Sequence, residues 1–374
     1  MALGEARARA IAERLDSSTR VAPRSAATDW GRKVFVRVAV IGLGYWGPNL
    51  VRNLAAAPAT ELVAVCDTDE ARVTTVGAQL PSARQLTDAE AVFAADDVDA
   101  VCIATPVASH YGLVKRALES GKHVLVEKPF VQSVVEAEEL VRLAATRGLV
   151  LMVDHVFLYS PAVRRLAAAV RDGELGDLHF VDSVRINLGL VQHDVNVLWD
   201  LAAHDLSILD HLVQRQPVSI VAVGESHSGS GLADVAYLHL DYGQGLLASV
   251  HVNWLSPVKL RHFLVGGSRR SALYNDLDPS ERLKIYDRGI DLTPDPESKR
   301  QVMVGYRSGD VVAPRLDALE PLRCMVEHFA ECVGTGSRPI SDGDQGLRIV
   351  RILVAAEESL GKGGVRVDLD GAGG

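Results

Sequence analysis

Three residues in the middle of the chain have the types and spacing for acid–base chemistry on a hydroxyl group: Lys128, Asp200 and His204. Asp200 and His204 are four positions apart in the run DLAAH, so on a helix they would share one face. A carboxylate beside an imidazole suits proton transfer near neutral pH. Lys128 follows the run HVLVE at a predicted strand end, where its ammonium can stabilise a developing alkoxide. The alternatives are a surface pair or a helix cap by Asp200, and a solvated pair of Glu127 with Lys128.

A glycine-rich stretch near residue 40 predicts the fold that positions these residues. Gly42, Gly44 and Gly47 follow the apolar run VRVAVI with the spacing G-x-G-x-x-G. This spacing is typical of the phosphate-binding turn between a strand and a helix in dinucleotide-binding folds. Asp67 ends a second apolar run 20 residues after Gly47, where a carboxylate binds the adenosine ribose. The run TDE after Asp67 contains no basic residue, which favours NAD over NADP. An ordinary strand–turn–helix unit without a ligand is the alternative.

The order of strand and helix signals predicts two domains. Strands and helices alternate over residues 34–155, which predicts an α/β Rossmann domain with a doubly wound parallel sheet. Over 156–362, strands follow one another, which predicts an α+β domain with an open, mostly antiparallel sheet; its C-terminal helices are expected to pack back on the first domain. Within it, the proline-containing residues 292–317 are interpreted as a loop. Residues 1–33 are interpreted as an extension, possibly disordered, and 363–374 as a tail.

Composition limits the classes of function. The net charge of −9 does not favour nucleic acid or an anionic membrane, and no apolar run approaches the ~20 residues of a membrane span. The four cysteines have no zinc-ligand spacing, no metal site is expected, and a reducing, cytoplasmic location is the default. Strands such as 245–254 carry apolar residues on both sides, which predicts a homo-oligomer joined through the open sheet face.

Taken together, these stretches resemble the glucose–fructose oxidoreductase/inositol dehydrogenase (Gfo/Idh/MocA) family over about residues 34–362. The most specific motifs are GLGYWG, GKHVLVEKP and the D-x-x-x-H pair. The runs RINLG and DVNVLWDLAAHD, with EPL and SDGDQGL, look most like the branch that acts on nucleotide-linked sugars at C3. That branch often has a proline before the histidine, where this chain has Ala203. In this family the free face of the second sheet often builds dimers or tetramers.

The resemblance implies a role for each matching residue. Lys128 would bind the reacting hydroxyl, Asp200 would orient the substrate and His204 would be the acid/base. The expected cofactor-binding residues, besides the three glycines, Asp67 and Lys128, are Tyr45, Trp46, Thr105, Pro106, His110 and Glu127, the last four on the nicotinamide side. The expected substrate-binding residues are His155, Arg185, Asn187, Asn196 and Trp199.

The implied function is reversible, NAD(H)-dependent hydride transfer between nicotinamide C4 and a carbinol or keto carbon of a sugar, most similar to a nucleotide-linked sugar at C3. A cyclitol dehydrogenase, or a ketoreductase of a deoxysugar or aminocyclitol pathway, is the closest alternative. An NAD-retaining glycosidase and a non-catalytic, dinucleotide-sensing regulator are further alternatives. The presence of Lys128, Asp200 and His204 argues against the regulator.

Overall fold

The computed structural model of the chain describes residues 35–189, 192, 194–294 and 302–369. The predicted extension over residues 1–33 lies outside this part of the chain, as do residues 370–374 of the predicted tail.

The first domain contains a six-stranded parallel sheet in the order β3-β2-β1-β4-β5-β6. Its strands are β1 (Val36–Ile41), β2 (Thr60–Cys66), β3 (Arg84–Leu86), β4 (Ala100–Ile103), β5 (His123–Val126) and β6 (Leu151–Val153). Its helices are α1 (Gly47–Ala56), α2 (Glu70–Gly77), α3 (Ala89–Phe93), α4 (His110–Glu119) and α5 (Val134–Arg147). Because the order reverses between β1 and β4, a crevice opens at their carboxyl ends, and this is where such sheets bind ligands. The predicted doubly wound sheet is confirmed.

Burial on both faces explains why these strands have continuous apolar sequences. Every residue of β4 and β6 is buried, and so are five of the six residues of β1. A parallel sheet covered by helices on both sides requires this pattern, whereas a half-exposed strand would alternate apolar and polar residues. The carboxyl ends of these strands are the first positions where polar side chains appear, and the candidate site begins there.

The second domain is built on a nine-stranded sheet in the order β14-β13-β12-β11-β7-β10-β9-β8-β15. Its strands are β7 (Leu178–Leu188), β8 (Ser219–Glu225), β9 (Val235–Asp241), β10 (Leu247–Asn253), β11 (Leu255–Gly267), β12 (Ser271–Asn275), β13 (Leu283–Pro294), β14 (Val302–Val312) and β15 (Val367–Asp368). Its first two helices are α6 (Pro161–Arg171) and α7 (Ala203–Val213). Only β7 and β10 pair in parallel among the described strands of this sheet. The predicted mostly antiparallel sheet is confirmed.

Two C-terminal helices, α8 (Pro321–Thr335) and α9 (Gly343–Gly361), contact the first domain. Before α8, Glu320 accepts hydrogen bonds from Arg52 and Asn53 of α1. Before α9, the carbonyl of Ser341 accepts a hydrogen bond from the Val153 amide of β6 at 2.8 Å. The last helices of the chain therefore cover part of the first sheet and its helices.

The interpretation of residues 292–317 as a loop is wrong for residues 292–294 and 302–312, whereas residues 313–317 form no helix or strand. Residues 302–312 form β14, which pairs antiparallel with β13, and β13 itself continues to Pro294. Cross-strand pairing outweighs the prolines, because Pro314 follows the strand and Pro294 occupies a strand end, where a missing N–H is tolerated. Likewise, the predicted tail contributes β15, which pairs with β8.

The turn after β1 leads to the first testable prediction. A Cβ atom on Gly47 would overlap the carbonyl of Gly42, since α1 packs directly against this turn. Gly47→Ala should therefore lower the free energy of unfolding by about 1–3 kcal/mol, the usual cost of overpacking. Gly112→Ala in α4 is the matched control: its Cβ would meet nothing within 4 Å, and it should stabilise by about 0.5–1 kcal/mol. Urea unfolding without cofactor measures both, and a Gly47→Ala variant as stable as the wild type would contradict the packing argument.

Candidate active site

Lys128 and Asp200 meet between the two domains. Lys128 follows β5, and its Nζ donates to Asp200 Oδ1 at 2.9 Å and to the Asp200 carbonyl at 2.8 Å. The second carboxylate oxygen of Asp200 accepts a hydrogen bond from Trp254 Nε1 at 3.0 Å. The two side chains are 17% and 18% exposed, so the pair is shielded but open to a ligand on one side. This geometry fixes the ammonium group of Lys128. The peptide bond between Lys128 and Pro129 is cis.

His204 begins near the same point, but not on the regular helix that its spacing suggested. Residues Leu198–Ala202 form a single π-helical turn, and α7 starts directly after it at Ala203. Such turns are rare and occur frequently at functional sites. Asp200 lies in the π turn and His204 in the first turn of α7. The expectation of one regular α-helical face is therefore corrected to a π turn followed by an α-helix.

The His204 imidazole is half-buried and electrically neutral. Burial first, and then the positive charges of Lys128, Arg185 and Arg261, hold the pKa of His204 well below its ordinary value. Its Nδ1 atom is buried and has no hydrogen-bond partner among the described residues. The ring instead packs against Phe157 in an edge-to-face contact, with centroids 5.0 Å apart and an interplanar angle of 74°. A neutral imidazole is the form that can accept a proton.

Glu127 and Asp154 form an acid pair at the ends of β5 and β6. Burial and the charge of Asp154 raise the pKa of Glu127 well above its ordinary value, and burial raises the pKa of Asp154. Glu127 Oε1 and Asp154 Oδ1 are buried, and neither atom has a hydrogen-bond partner among the described residues. Glu127 Oε2 accepts from the Lys128 amide, and Asp154 Oδ2 accepts from Trp46 Nε1, each at 3.0 Å. Two neighbouring acids in a desolvated site disfavour double ionisation, so the pair carries at least one proton. The pair thereby connects the end of β5 to the Trp46 side chain of the glycine turn.

The glycine turn has the space that a dinucleotide requires. Gly42 has φ +95° and a Cβ there would press on the Ala104 carbonyl, so only glycine fits. A Cβ on Gly44 would contact only the Arg72 guanidinium, which leaves this side of the turn open. Tyr45 is exposed beside it. Asp67 is buried, and its Oδ2 accepts from the Leu43 amide at 2.6 Å.

Arg72 is a basic residue that the run after Asp67 did not reveal. Its Nη1 lies 3.8 Å from Asp67 Oδ2, and its Nε lies 3.3 Å from Asp69. One turn of α2 brings it back to the end of β2, because Asp69 is the N-cap of that helix. The run directly after Asp67 contains no basic residue, but the fold brings Arg72 to this carboxylate, where its guanidinium lies beside both Asp67 and Asp69.

His110 joins two of the predicted cofactor-side segments. Its Nε2 lies 2.8 Å from the Thr105 carbonyl, and its Nδ1 lies 2.9 Å from the Pro129 carbonyl. Pro106 precedes the short 3₁₀ turn Val107–Ser109 that leads into α4. Both ring nitrogens of His110 are thus engaged by backbone carbonyls, and its role in this geometry is to fix the two segments to each other.

The predicted substrate residues fall into two groups. Asn196 Oδ1 accepts from the Leu198 and Trp199 amides, while Asn196 Nδ2 and Trp199 Nε1 both donate to Glu357 of α9. These two side chains therefore hold the π turn against α9. Arg185 forms a buried, bidentate ion pair with Asp205.

The other two predicted substrate residues keep free polar groups. Asn187 is half-buried near the end of β7. His155 is buried, and neither of its ring nitrogens has a partner among the described residues. Burial, together with the charge of Lys128, lowers the pKa of His155 to about 3, so the ring is neutral. Its position after β6, next to the end of β5, brings it to the side of Lys128.

Sequence reasoning missed Asp154, Phe157, Arg72 and Trp254. Asp154 follows the apolar run LMV at the end of β6, which is the same signal that selected Glu127 after β5. Trp254 and Phe157 give no such signal, because a lone aromatic residue between apolar strands is typical of a core. The described residues contain no cluster of His, Cys, Asp and Glu that could hold a metal ion, and none of their helices is long and apolar enough to cross a membrane.

Family comparisons identify the class of protein. A family model described as "Oxidoreductase family, NAD-binding Rossmann fold" matches residues 36–155, and the GFO/IDH/MocA C-terminal domain matches residues 163–273. The two matches span more than half of the chain, which therefore belongs to the Gfo/Idh/MocA family of NAD-binding oxidoreductases. The predictions of family, of an oxidoreductase and of NAD are confirmed, and the open turn at Gly42 and Gly44 fits this cofactor.

Individual relatives match over nearly their whole length. UDP-N-acetylglucosamine 3-dehydrogenase from Acidithiobacillus ferrooxidans is 27% identical, covering 87% of this chain and 99% of the relative. A crystal structure of that enzyme gives a TM-score of 0.74 over 87% of this chain and 98% of its own. The scyllo-inositol 2-dehydrogenase (NAD(+)) of Bacillus subtilis is 24% identical, and the match covers 90% of this chain and 96% of the relative. An inositol dehydrogenase homologue from Azotobacter vinelandii, solved with NADH and myo-inositol, has the same fold at 23% identity. Its TM-score is 0.76, and the match covers 90% of this chain and 99% of the homologue.

The carboxylates around Arg72 generate a prediction about cofactor choice. NADH should bind more tightly than NADPH, because Asp67 and Asp69 repel a 2′-phosphate. Asp67→Asn keeps an acceptor for the Leu43 amide but removes the charge, and should narrow the ratio of the two dissociation constants about tenfold by freeing Arg72 to bind the phosphate.

Fluorescence titration with NADH and NADPH measures this ratio. Adding Arg72→Gln to Asp67→Asn should abolish the gain in NADPH affinity. Arg84→Gln is the control, since Arg84 forms an exposed ion pair with Asp97 in the same domain. Equal or tighter binding of NADPH by the wild type would contradict the electrostatic argument.

Proposed function

We propose that the protein is an NAD(H)-dependent dehydrogenase or ketoreductase that interconverts a secondary alcohol and a ketone on a sugar, with a nucleotide-linked sugar oxidised at C3 as the substrate. The observation that carries this proposal is that a fixed ammonium group, Lys128, lies close enough to a neutral, half-buried imidazole, His204, for its charge to lower the pKa of that histidine. The first can donate a hydrogen bond to the reacting oxygen, and the second can accept its proton. Retention of these groups also disfavours a non-catalytic regulator.

In this proposal the residues divide the proton chemistry between them. NAD, when bound at the glycine turn, supplies nicotinamide C4 as the acceptor of the hydride from the carbinol carbon. Lys128 donates a hydrogen bond to the substrate hydroxyl and stabilises the negative charge that develops on its oxygen. His204 takes the hydroxyl proton. Asp200 and Trp254 hold Lys128 in place through the hydrogen bonds to the Asp200 carboxylate.

The substrate class is supported by sequence likeness. The relative named UDP-N-acetylglucosamine 3-dehydrogenase matches 87% of this chain, and the runs RINLG and DVNVLWDLAAHD look most like that branch. An inositol-type substrate is the second candidate, because a scyllo-inositol 2-dehydrogenase matches 90% of the chain. Accumulation of NADH with UDP-N-acetylglucosamine but not with scyllo- or myo-inositol would support the first candidate. Turnover of the sugar without net NADH would indicate the glycosidase alternative instead.

The proposed roles predict the effect of removing each group. His204→Ala should lower kcat at least about a hundredfold, because general acid–base groups contribute roughly 100- to 10,000-fold. Lys128→Ala should lower it by a similar order through loss of alkoxide stabilisation. NADH affinity should change little in His204→Ala, since the glycine turn is untouched. Because the pKa of His204 lies well below its ordinary value, the wild-type acid limb should lie below pH 6.5 and disappear in this variant.

Two observations control this experiment. Lys115→Ala removes a lysine whose Nζ pairs with Glu139 at 2.6 Å in the first domain, and it should keep full turnover. If His204→Ala keeps more than about a tenth of wild-type turnover, His204 is not the proton acceptor.

We also propose that the protein is a homodimer or homotetramer joined through the open face of the second sheet. Phe180 and Leu247 are paired neighbours on this face, as are Val223 and Tyr237. Tyr237 also stacks on His251 at 4.3 Å, and Leu247 is 59% exposed. The alternate residues of β10 are buried on the opposite side, so these exposed apolar side chains share one face of the sheet, with polar residues such as Ser249 between them.

A charge placed on this face should separate the subunits. Leu247→Lys should convert the oligomer to a monomer at micromolar concentration, because a lysine would be desolvated in the interface. Val135→Lys is the control, since Val135 is 71% exposed on α5 of the first domain. Light scattering checks both variants, and a monomeric wild type would contradict the interface.

A reducing, cytoplasmic location remains part of the proposal. The four cysteines are free thiols, and three of them are buried. Burial raises the pKa of Cys66 to about 11, so this thiol is not prone to oxidation.

A further inference from the structure

Arg185, which the family resemblance places at the substrate, is engaged by a carboxylate of its own domain. Its Nε and Nη2 donate to the two carboxylate oxygens of Asp205 at 2.7 and 3.0 Å. Both side chains are 3% exposed. The bidentate pair with Asp205 uses the edge of the Arg185 guanidinium group. The planar face of the guanidinium group is therefore the surface that remains for other contacts.

That face lies over an aromatic ring. The Arg185 guanidinium carbon is 4.5 Å from the Phe157 ring centroid, within the range of a cation–π contact. Phe157 in turn makes the edge-to-face contact with His204. The three side chains form a continuous stack that starts at Asp205, the residue directly after His204 in α7.

Among the described residues, no hydrogen bond orients the His204 ring at Nδ1, because this atom is buried and has no partner. Packing against Phe157 therefore sets the ring plane. We propose that Arg185 is a positioning residue for the proton acceptor: held by Asp205, its guanidinium fixes Phe157 against His204 and disfavours a positive charge on the imidazole. This role rests on the proposed function, in which neutral His204 accepts the hydroxyl proton.

Other charged groups also face His204, and they set the background for any test. They come from four elements: Lys128 after β5, His155 after β6, Arg185 on β7 and Arg261 on β11. Three of them have their own carboxylates: Asp200 for Lys128, Asp205 for Arg185 and Asp276 for Arg261. Among these ion pairs, only Arg185–Asp205 is connected to His204 through an aromatic ring, that of Phe157.

The two members of the pair should have opposite effects on the charge of His204. Arg185→Gln removes a positive charge and leaves the Asp205 carboxylate, so the protonation midpoint of His204 should rise by about 0.5–1 pH unit. Asp205→Asn leaves Arg185 uncompensated, so the midpoint should fall. A purely structural role would impair both variants without moving the midpoint in opposite directions.

Histidine-labelled full-length protein, followed by ¹³C NMR from about pH 4 to 8, measures the midpoint without a substrate; the range extends to acid pH because the pKa of His204 lies well below its ordinary value. The His204 signal is assigned by its loss in His204→Gln. Arg348→Gln is the matched control, because Arg348 makes the same bidentate pair with buried Asp210 of the same helix, at 2.9 and 2.8 Å. This control should leave the His204 midpoint unchanged.

Arg185→Lys keeps the charge but loses the planar face, so it should leave the midpoint within about 0.2 pH unit and lower kcat several-fold with UDP-N-acetylglucosamine. If Arg185→Gln does not fold, Arg185→Lys and Asp205→Asn carry the test. Shifts in the same direction for Arg185→Gln and Asp205→Asn, or a shift in Arg185→Lys as large as in Arg185→Gln, would overturn the proposal. Loss of the proposed function would appear separately, as His204→Ala retaining turnover while the NMR shifts persist.

Discussion

The contact between Lys128 and Asp200 is the interaction on which the candidate site depends. It joins a strand end of the parallel sheet to the π turn of the second domain, through one ammonium group and two oxygens of one residue. A lysine at that strand end would otherwise have several solvated rotamers. Trp254 occupies the remaining carboxylate oxygen, so the aspartate cannot turn away. The position of the ammonium group is thereby determined by both domains.

Paired charge is the second constraint. The cations Lys128, Arg185 and Arg261 near His204 each have a carboxylate of their own, and the pKa values of both Glu127 and Asp154 are raised by burial, which favours a protonated, uncharged carboxyl in this pair. Burying any one of these charges alone would be strongly unfavourable, whereas pairing and protonation reduce the cost. The consequence is a site that contains many ionisable groups and two neutral imidazoles, which suits a substrate whose reacting group is an uncharged hydroxyl.

The sequence predicted most of the fold because its signals were local. The apolar runs before Gly42, Asp67 and Glu127 follow from burial of a parallel sheet on both faces. The residues at the strand ends were selected by the same rule. The roles of side chains in the second domain were harder to predict, because they depend on contacts between distant segments. Arg185 finds Asp205, and Trp199 finds Glu357, only after the chain has folded.

The π turn shows the same limit in detail. A spacing of four residues predicts one helical face, but it does not reveal that Asp200 and His204 lie on either side of a change in helix type. Strand β14 was missed for a related reason. Its pairing with β13 comes from the register of the hairpin, whereas the nearby prolines suggested a loop. Local composition is a weak guide where pairing determines the structure.

The placement of α8 and α9 has a consequence for synthesis of the chain on the ribosome. Helices at the end of the sequence pack on α1 and α5, and the Ser341 carbonyl bonds to β6. Domains generally fold as they emerge, starting with the N-terminal one. Here the cofactor-binding domain leaves the ribosome first, but part of its apolar surface stays uncovered until the last helices follow. The nascent first domain therefore completes its burial only after α8 and α9 have left the ribosome.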